Sequence, residues 1–283
     1  TEADVELLHG RAEVRNDGKE IEFGFRAPRP GRLDEEIENL RRLVCRAREQ
    51  ETAAGQAGEQ GFAHHGGAER AQGGAPTWEP PAGLPDLYIA MGQTAENVVQ
   101  AENVSREEMD EFAARSQQLA VANQENGFWE DEITPLTLPD GTVVSQDDGP
   151  RPGTTVEALA GLKPVFRPDG SVTAGNACPL NDGAAAVMVM SDTKAAELGI
   201  TPLARVVASG VTGLNPEIMG LGPIEAVRQA LGRAGMTIDD IDLVEINEAF
   251  AAQVIPSAKH LDIPWEKLNV NGGSIALGHP FGM

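Results

Sequence analysis

The chain has 283 residues and a formal net charge of −22, with 41% hydrophobic and 23% charged residues. Such a length and composition are typical of a globular protein with one or two cores. The strongly acidic charge argues against nucleic acid as a partner, because phosphate contacts need a basic surface. No apolar stretch approaches about 18 residues, so we expect no membrane span and, by default, a cytoplasmic location.

The cysteine content and the first residue add two further expectations. Cys45 and Cys178 are the two cysteines, which is too few for a disulfide framework and fits a reducing compartment. No signal peptide is recognisable, but the sequence begins with Thr1, so a removed or unsequenced upstream piece stays open.

The first 85 residues differ in composition from the rest, with no Ser, ten Arg and a single Lys. Apolar residues spaced three or four apart predict a helix over residues 33–47. Residues 52–76, rich in Gly, Ala, Gln and Glu, are predicted to be disordered because they offer few apolar side chains to bury. Two origins stay open for residues 1–85: a stretch translated in a wrong frame or from a rearranged gene, which we favour, or a genuine leader of unfamiliar type.

Regular patterns begin near residue 86. Ser105 and Glu108 form a capping box that opens a helix, and Asn126-Gly127 should end it. Pro-Asp-Gly turns at 139–141 and 168–170 mark a loop-rich stretch. From Asn181 onward the predicted order is a helix, strand 185–190, helix 192–198, strand 204–209, helix 223–234, strand 242–246 and helix 248–260. This alternation favours an α/β layered domain.

Two polar residues follow predicted strands. Asn247 follows strand 242–246, and His279 follows a short extended segment around Asn269, a Gly272-Gly273 break and the potential cap Ser274. Functional side chains gather at strand ends, so we expect both side chains to converge on one cavity. A water and a substrate oxygen could then bridge them, which requires a separation below about 12 Å.

Five sequence blocks occur in order over roughly residues 86–283. They are Met91-Gly92-Gln93-Thr94-Ala95-Glu96-Asn97, residues 173–186 (TAGNACPLNDGAAA), Met219-Gly220-Leu221-Gly222-Pro223, Asn247-Glu248-Ala249-Phe250 and residues 269–283. Together these blocks resemble the thiolase family of acyl-CoA acyltransferases. Several blocks in order are much more specific than one short motif.

The resemblance implies a thiolase-like layered α/β/α fold, incomplete at both ends. It divides the chain into an unrelated or disordered leader over 1–85, a loop-rich covering domain over 86–180 and a truncated C-terminal α/β domain over 181–283. It also implies a thiolase-type acyltransferase that carries out Claisen condensation or thiolysis of 3-ketoacyl-CoA, in fatty-acid breakdown or acetoacetyl-CoA formation. Coenzyme A would be a substrate, with no other cofactor and no metal, and the complete enzyme would be a homo-oligomer.

For catalysis, the resemblance makes His279 the imidazole and Asn247 the holder of a water, both aimed at a thioester oxygen that becomes negative. The alternatives are a core histidine bonded to backbone and a helix N-cap at Asn247. Substrate-binding positions implied by the resemblance are Met91, Arg151, Phe166, Ala174, Cys178, Met219, Ala249 and Phe250. Arg151 would lie beside the CoA nucleotide, with a solvated loop arginine as the alternative, and each apolar position would otherwise be ordinary core. Cys178 departs from the family pattern, where Ser or another small residue often stands.

The nucleophile is the gap in the resemblance. Thiolases carry the attacking cysteine upstream of the Met91 block in a glycine-rich context, which is absent around Cys45, and a second cysteine would follow Met283. Cys178 is a poor candidate because Pro179 follows it and it lies in the covering segment. We therefore expect an inactive thiolase fragment; the alternative is a non-catalytic thiolase-like protein that binds CoA or lipid.

Overall fold

The computed structural model describes residues 82–280 and the backbone of three short strands within the first 25 residues. The predicted helix over 33–47, the predicted disorder over 52–76 and Cys45 lie outside the described residues. Of the helices that are described, none is long and apolar enough to cross a membrane.

The regular elements are short, apart from three helices of 12, 20 and 13 residues. The strands are β1 Val5–Leu8, β2 Ala12–Asn16, β3 Ile21–Phe25, β4 Leu136–Thr137, β5 Val143–Val144, β6 Met188–Ser191 and β7 Ala204–Val206. The α-helices are α1 Met91–Glu102, α2 Arg106–Glu125, α3 Val156–Ala160, α4 Asp192–Leu198, α5 Gly222–Ala234, α6 Ala251–His260 and α7 Ser274–Leu277. Short 3-10 helices occur at Phe128–Asp131, Pro216–Leu221, Ile238–Asp240 and Trp265–Lys267.

The described residues divide into two compact units: one holds the early strands and residues 183–209, and the other holds residues 82–182 and 210–280. The division into three domains predicted from the sequence stays a prediction. In the first unit, β1 lies between β6 and β7 and is antiparallel to both, while β2 pairs with β3. Helix α4 follows β6 and ends at Gly199, where φ is 67°, as its sequence predicts.

Helix α2 is the central element of the second unit. Ser105 Oγ accepts the Glu108 N–H at 3.1 Å and Glu108 accepts the Ser105 N–H at 3.1 Å, so the predicted capping box is present. Phe112, 1% exposed, packs edge-on against Trp265 with ring centroids 5.6 Å apart. The helix ends at Asn126, and Gly127 takes a φ of 83°, which confirms the predicted end.

Helix α6 completes this core, because its Ala251, Ala252, Val254 and Ile255 are all at most 1% exposed. Helix α5 ends at Gly235, with a φ of 67°, as predicted. Both Pro-Asp-Gly turns also form, the first of them between β4 and β5.

Several predicted elements are wrong or shorter than expected. Residues 242–246 form no strand; Val244 makes a single parallel bridge with Leu268. Helix α6 begins at Ala251 rather than at residue 248, because Ala177 and Phe250 form an antiparallel bridge that keeps the preceding backbone extended.

The first unit shows similar shortening. No helix forms between Asn181 and β6. The predicted strand 185–190 is replaced by β6, which begins only at Met188 because its pairing with β1 reaches no further toward the N-terminus. Strand 204–209 is shortened to β7 because β1 offers it only three paired positions.

Candidate active site

The side chains of Asn247 and His279 meet, with Asn247 Nδ2 3.0 Å from His279 Nε2. The predicted proximity is confirmed, although the strand over 242–246 that was predicted before Asn247 is not formed. Asn247 is exposed and His279 is half-buried. The alternative of a helix N-cap is wrong, because Phe250 caps α6 and Asn247 lies three residues further upstream.

A short parallel ladder carries Asn247, and the side chain of Asn269 extends it. The Val244 N–H donates to Lys267 O and the Asn269 N–H donates to Val244 O, both at 2.9 Å. Beyond this point, Asn269 Oδ1 accepts the Ile246 N–H and Asn269 Nδ2 donates to Ile246 O, both at 2.8 Å. The side-chain amide thus takes the place of a peptide group in the next rung. Asn tolerates the left-handed φ of 46° at this position.

A buried carboxylate lies next to Asn247. Glu248 is 0% exposed, and its oxygens accept bonds from Ser116 Oγ at 2.6 Å, the Ile275 N–H at 3.1 Å and Asn269 Nδ2 at 2.8 Å. Burial raises the pKa of Glu248, since removal from water disfavours the charged form, while these three donors and Arg115 act in the opposite direction. Such a group is strongly bound to its surroundings and does not face solvent.

The glycine pair predicted to break the chain packs directly on this carboxylate. A Cβ on Gly273 would overlap the Glu248 carboxyl group, so only glycine fits there. Gly272 has a φ of 89° and its N–H donates to Asn269 O at 3.1 Å. The turn therefore brings Ser274, the first residue of α7, to Asn247.

Ser274 connects this turn to the exposed amide. Its Oγ accepts the Glu248 N–H at 3.3 Å and donates its own proton to Asn247 Oδ1 in a short hydrogen bond. The amide Nδ2 is then left to face His279 Nε2. In this assignment Nε2 of the imidazole accepts from the amide, which is one of the two roles that this ring nitrogen can take, depending on the tautomer.

The backbone of His279 is held from another direction. Its N–H donates to Asn181 Oδ1 at 3.1 Å, and Asn181 Nδ2 donates to Leu277 O at 3.1 Å. Between them, Gly278 has a φ of 100°, and a Cβ there would overlap the Asn181 amide. Asn181 thus fixes the turn that presents the imidazole.

Five of the predicted substrate-binding residues lie in one cluster. The rings of Phe166 and Phe250 are edge to face with centroids 6.0 Å apart. The Cys178 N–H donates to Ala249 O at 3.1 Å, which places the thiol-bearing segment beside the Asn247 segment. Met91 is exposed at the start of α1, and the next residue, Gly92, packs so closely on the Phe166 ring that a Cβ would overlap it.

The other three predicted substrate-binding residues are exposed. Met219 lies in the 3-10 turn Pro216–Leu221, and Ala174 lies in a turn before Asn176. The main-chain N–H of Arg151 donates to Gln117 Oε1 at 2.7 Å. Their roles stay predictions.

Cys178 does not have the properties of an activated thiol. It is half-buried, and burial raises its pKa, whereas a nucleophilic cysteine needs a lowered pKa. Over residues 82–280 no group of three or more His, Cys, Asp or Glu side chains could hold a metal ion.

Five polar residues at this site were missed by the sequence reasoning: Ser116, Asn181, Glu248, Asn269 and Ser274. One signal was available for Glu248. This charged residue lies between Ile246 and the apolar pair Ala249-Phe250, and a carboxylate exposed on the surface is unexpected among such neighbours. Nothing local in the sequence indicates its partners, since Ser116 is 132 residues away.

Two family models match the chain. Residues 79–193 match the thiolase N-terminal domain and residues 200–283 match the thiolase C-terminal domain. The chain belongs to the thiolase family, and the predicted thiolase-like α/β fold is confirmed.

Individual relatives show how much of the family's length is covered. An acetyl-CoA acetyltransferase of Pseudomonas aeruginosa is 53% identical over 196 residues, covering 68% of this chain and 50% of the relative. A probable acetyl-CoA acyltransferase of Staphylococcus epidermidis is 51% identical over 206 residues, covering 71% of this chain and 52% of the relative. The chain spans about half the length of these curated relatives.

Solved structures give the same picture. The Bacillus anthracis acetyl-CoA acetyltransferase is 50% identical with a TM-score of 0.68, covering 70% of this chain and 52% of that one. The dimeric peroxisomal thiolase of Saccharomyces cerevisiae is 44% identical with a TM-score of 0.66, covering 69% of this chain and 50% of that one. Human mitochondrial 3-ketoacyl-CoA thiolase is 42% identical with a TM-score of 0.67, covering 74% and 56%.

Proposed function

We propose that this chain contributes the oxyanion site and part of the CoA pocket of an acyl-CoA C-acyltransferase, which condenses two acyl-CoA molecules or cleaves a 3-ketoacyl-CoA. The observation that carries the proposal is the 3.0 Å contact between Asn247 and His279 on a buried polar framework. Relatives named as acetyl-CoA acyltransferase and acetyl-CoA acetyltransferase support this reaction class.

The chemistry requires donors at a thioester oxygen. Forming a carbon nucleophile next to a thioester, or attacking its carbonyl carbon, places negative charge on that oxygen. A water held by Asn247 and a protonated His279 nitrogen would donate to it, and each such donor commonly contributes about 3–4 kcal/mol to transition-state stabilisation. A substrate oxygen or water inserted between the two side chains would replace their direct contact.

The substrate we propose is a CoA thioester. Phe166, Phe250, Ala249 and the half-buried Cys178 would form an apolar wall for the pantetheine and acyl parts. The exposed Arg151 would pair with a nucleotide phosphate, for which a guanidinium is suited by its planar set of donors. Met91, Ala174 and Met219 would extend this surface, and no cofactor besides the CoA substrate is proposed.

We further propose that the chain by itself does not catalyse thiolysis. The cysteine within the described residues, Cys178, has a raised pKa, so it would not form an acyl-enzyme readily. The same observation favours the second candidate function, a non-catalytic protein that binds CoA or lipid. For the complete enzyme we propose a homo-oligomer, supported by the dimeric yeast relative.

The test combines binding and turnover on the purified chain. Isothermal titration calorimetry with CoA should show binding that Arg151→Ala weakens about tenfold, the effect of losing one charge-assisted bond of roughly 1.5 kcal/mol. Arg233→Ala, an arginine at the end of α5, is the matched control and should leave binding unchanged. Absence of CoA binding in the folded chain would contradict the proposed pocket.

Turnover distinguishes the two candidate functions. Acetoacetyl-CoA and free CoA are mixed with the chain, and loss of the 3-ketothioester is followed with time. We expect no thiolysis above the uncatalysed rate. Rapid thiolysis that disappears on alkylating Cys178 or Cys45, located by peptide mapping, would establish that cysteine as the nucleophile and contradict the expected inactivity.

A further inference from the structure

We propose that Glu248 and Ser274 are positioning residues that hold the Asn247 amide in the orientation needed for oxyanion stabilisation. Neither side chain is proposed to touch substrate; both act through Asn247. The inference rests on the proposed function, because it assigns a mechanical role within the same oxyanion site. We call these two residues the Glu248–Ser274 clamp.

The first step of the argument is where the carboxylate binds. Glu248 Oε2 accepts from Ser116 of α2 at 2.6 Å and from the Ile275 N–H at 3.1 Å, and Ser116 Oγ in turn accepts the Gly273 N–H at 3.1 Å. Glu248 Oε1 accepts from Asn269 at 2.8 Å. One buried carboxylate thus ties the Asn247 segment to both ends of the turn over residues 269–275.

The second step is the direction of the hydrogen bond that the Ser274 hydroxyl donates. Because Ser274 Oγ accepts the Glu248 N–H, its hydroxyl proton is available for an acceptor, and Asn247 Oδ1 is the acceptor it meets. A hydrogen bond to Oδ1 favours the amide orientation in which Nδ2 points to His279. That orientation also presents an N–H, rather than a carbonyl, toward the place where a water or substrate oxygen would sit.

The third step is the difference in exposure along this chain of hydrogen bonds. Glu248 is fully buried, Ser274 is half-buried and Asn247 is exposed. A rigid buried anchor therefore holds a solvent-facing amide through one hydroxyl. Without that hydroxyl the Asn247 Oδ1 atom would lose its donor and the amide would be less well fixed, and misplacement of a catalytic group by about 1 Å can reduce a rate by 10²-fold.

A carboxylate is required at position 248 for a further reason. All three partners of its oxygens donate a proton in their described arrangement. In Glu248→Gln, one of the two carboxylate oxygens is replaced by an NH₂ group, which faces either the Ile275 N–H or the Asn269 NH₂. Donor would then face donor, so either orientation loosens the turn that carries Ser274.

The test separates binding from enolate stabilisation, and it needs no nucleophilic cysteine. Acetoacetyl-CoA forms an enolate with its own ultraviolet absorbance, and donors at the thioester oxygen lower the pH at which the bound ligand ionises. The full chain and its variants are titrated with acetoacetyl-CoA by calorimetry for affinity, and by absorbance against pH for ionisation. The variants are Ser274→Ala, Ser274→Thr, Glu248→Gln and the exposed control Glu266→Gln, and thermal unfolding checks that each is folded.

We expect Ser274→Ala to keep its affinity within about twofold while the fraction of bound enolate at neutral pH falls about tenfold. Ser274→Thr, which keeps the hydroxyl, should restore the enolate fraction, and Glu266→Gln should match the unmodified chain. Glu248→Gln should behave like Ser274→Ala; if it does not fold, the two Ser274 variants decide the matter alone.

Failure of the clamp and failure of the proposed function give different results. If the unmodified chain binds acetoacetyl-CoA and promotes its ionisation but Ser274→Ala does so equally well, the clamp is wrong and the oxyanion site stands. Equal loss in Ser274→Ala and Ser274→Thr also overturns the clamp, since the hydroxyl is then not the cause. If the unmodified folded chain neither binds nor ionises the ligand, the proposed function fails first.

Discussion

The site segments, residues 244–251 and 268–279, and the loop-rich stretch over residues 128–155 both lack extended regular structure, yet they are built differently. The loop-rich stretch contains β4 and β5, with two residues each, and Val143 is 59% exposed. The site segments instead bury Glu248 and Asn269 completely or nearly so, at 0% and 1% exposure. Irregular backbone in one region is held by buried side-chain bonds, and in the other it faces water.

This difference has a physical cause. Backbone N–H and C=O groups that leave water need partners, and a single parallel bridge supplies few of them. Asn269 and Glu248 supply the remaining partners for Ile246 and Ile275. In the loop-rich stretch water can serve this purpose, so turn residues such as Asp140, which accepts the Thr142 N–H, are sufficient.

Replacing Asn269 should produce the largest loss of stability, and it tests the difference between the two regions most directly. Asn269→Ala would leave the Ile246 N–H and C=O and one Glu248 oxygen without their partner, each at a penalty of about 1–3 kcal/mol. We expect the free energy of unfolding to fall by roughly 3 kcal/mol or more, measured by urea denaturation.

The matched control for Asn269 is Asn103, which is exposed and also has a positive φ, of 54°. Asn103→Ala isolates the conformational penalty of alanine in the left-handed region, about 1 kcal/mol. If the two variants lose equal stability, the side-chain bonds of Asn269 contribute little, and the contrast between the two regions is wrong.

The pH dependence of stability tests the contribution of the buried Glu248 to the site segments. Burial raises its folded-state pKa above the ordinary value of 4.5, against the attraction of Arg115, and the nearby Glu245 has a raised pKa as well. The folded state therefore binds this proton more tightly than the unfolded state. The resulting stability is present below the unfolded pKa and is lost as pH rises through the folded pKa.

We expect the stability deficit of Glu248→Gln, relative to the unmodified chain, to be largest in mild acid and to shrink as pH rises toward neutrality. Urea denaturation at a series of pH values measures it, with Glu266→Gln as the control for a general change of surface charge. A deficit that grows with pH would show instead that the hydrogen bonds outweigh burial and lower the folded-state pKa.

The sequence was sufficient for several local features and for the proximity of the two central polar residues. The capping box at Ser105, the glycine stops after α4 and α5 and the proximity of Asn247 to His279 are all confirmed. Each of these depends on residues close in the chain or on an ordered family motif.

The rest could not be predicted because it depends on partners distant in sequence. The strand over 242–246 has the right apolar pattern, but its neighbour at Leu268 turns away after one bridge, since Asn269 has a left-handed backbone. The early start predicted for α6 overlooked the pairing of Ala177 with Phe250, 73 residues apart. The apolar periodicity of a segment indicates which element it can form, and the segment that it pairs with determines which element it does form.

The smallest effect should come from the loop-rich stretch itself. Val143 is 59% exposed in a two-residue strand, so Val143→Ala removes little buried surface and should change the free energy of unfolding by less than about 0.5 kcal/mol. Val254→Ala in α6 makes the same chemical change at a position that is 0% exposed. There, the loss of buried carbon atoms and the cavity left behind should reduce stability by about 1.5 kcal/mol or more. Both values come from urea denaturation under one set of conditions. If Val143→Ala lowers the free energy of unfolding as much as Val254→Ala does, the loop-rich stretch is packed against other residues in solution. It would then be stabilised by buried contacts, as the site segments are.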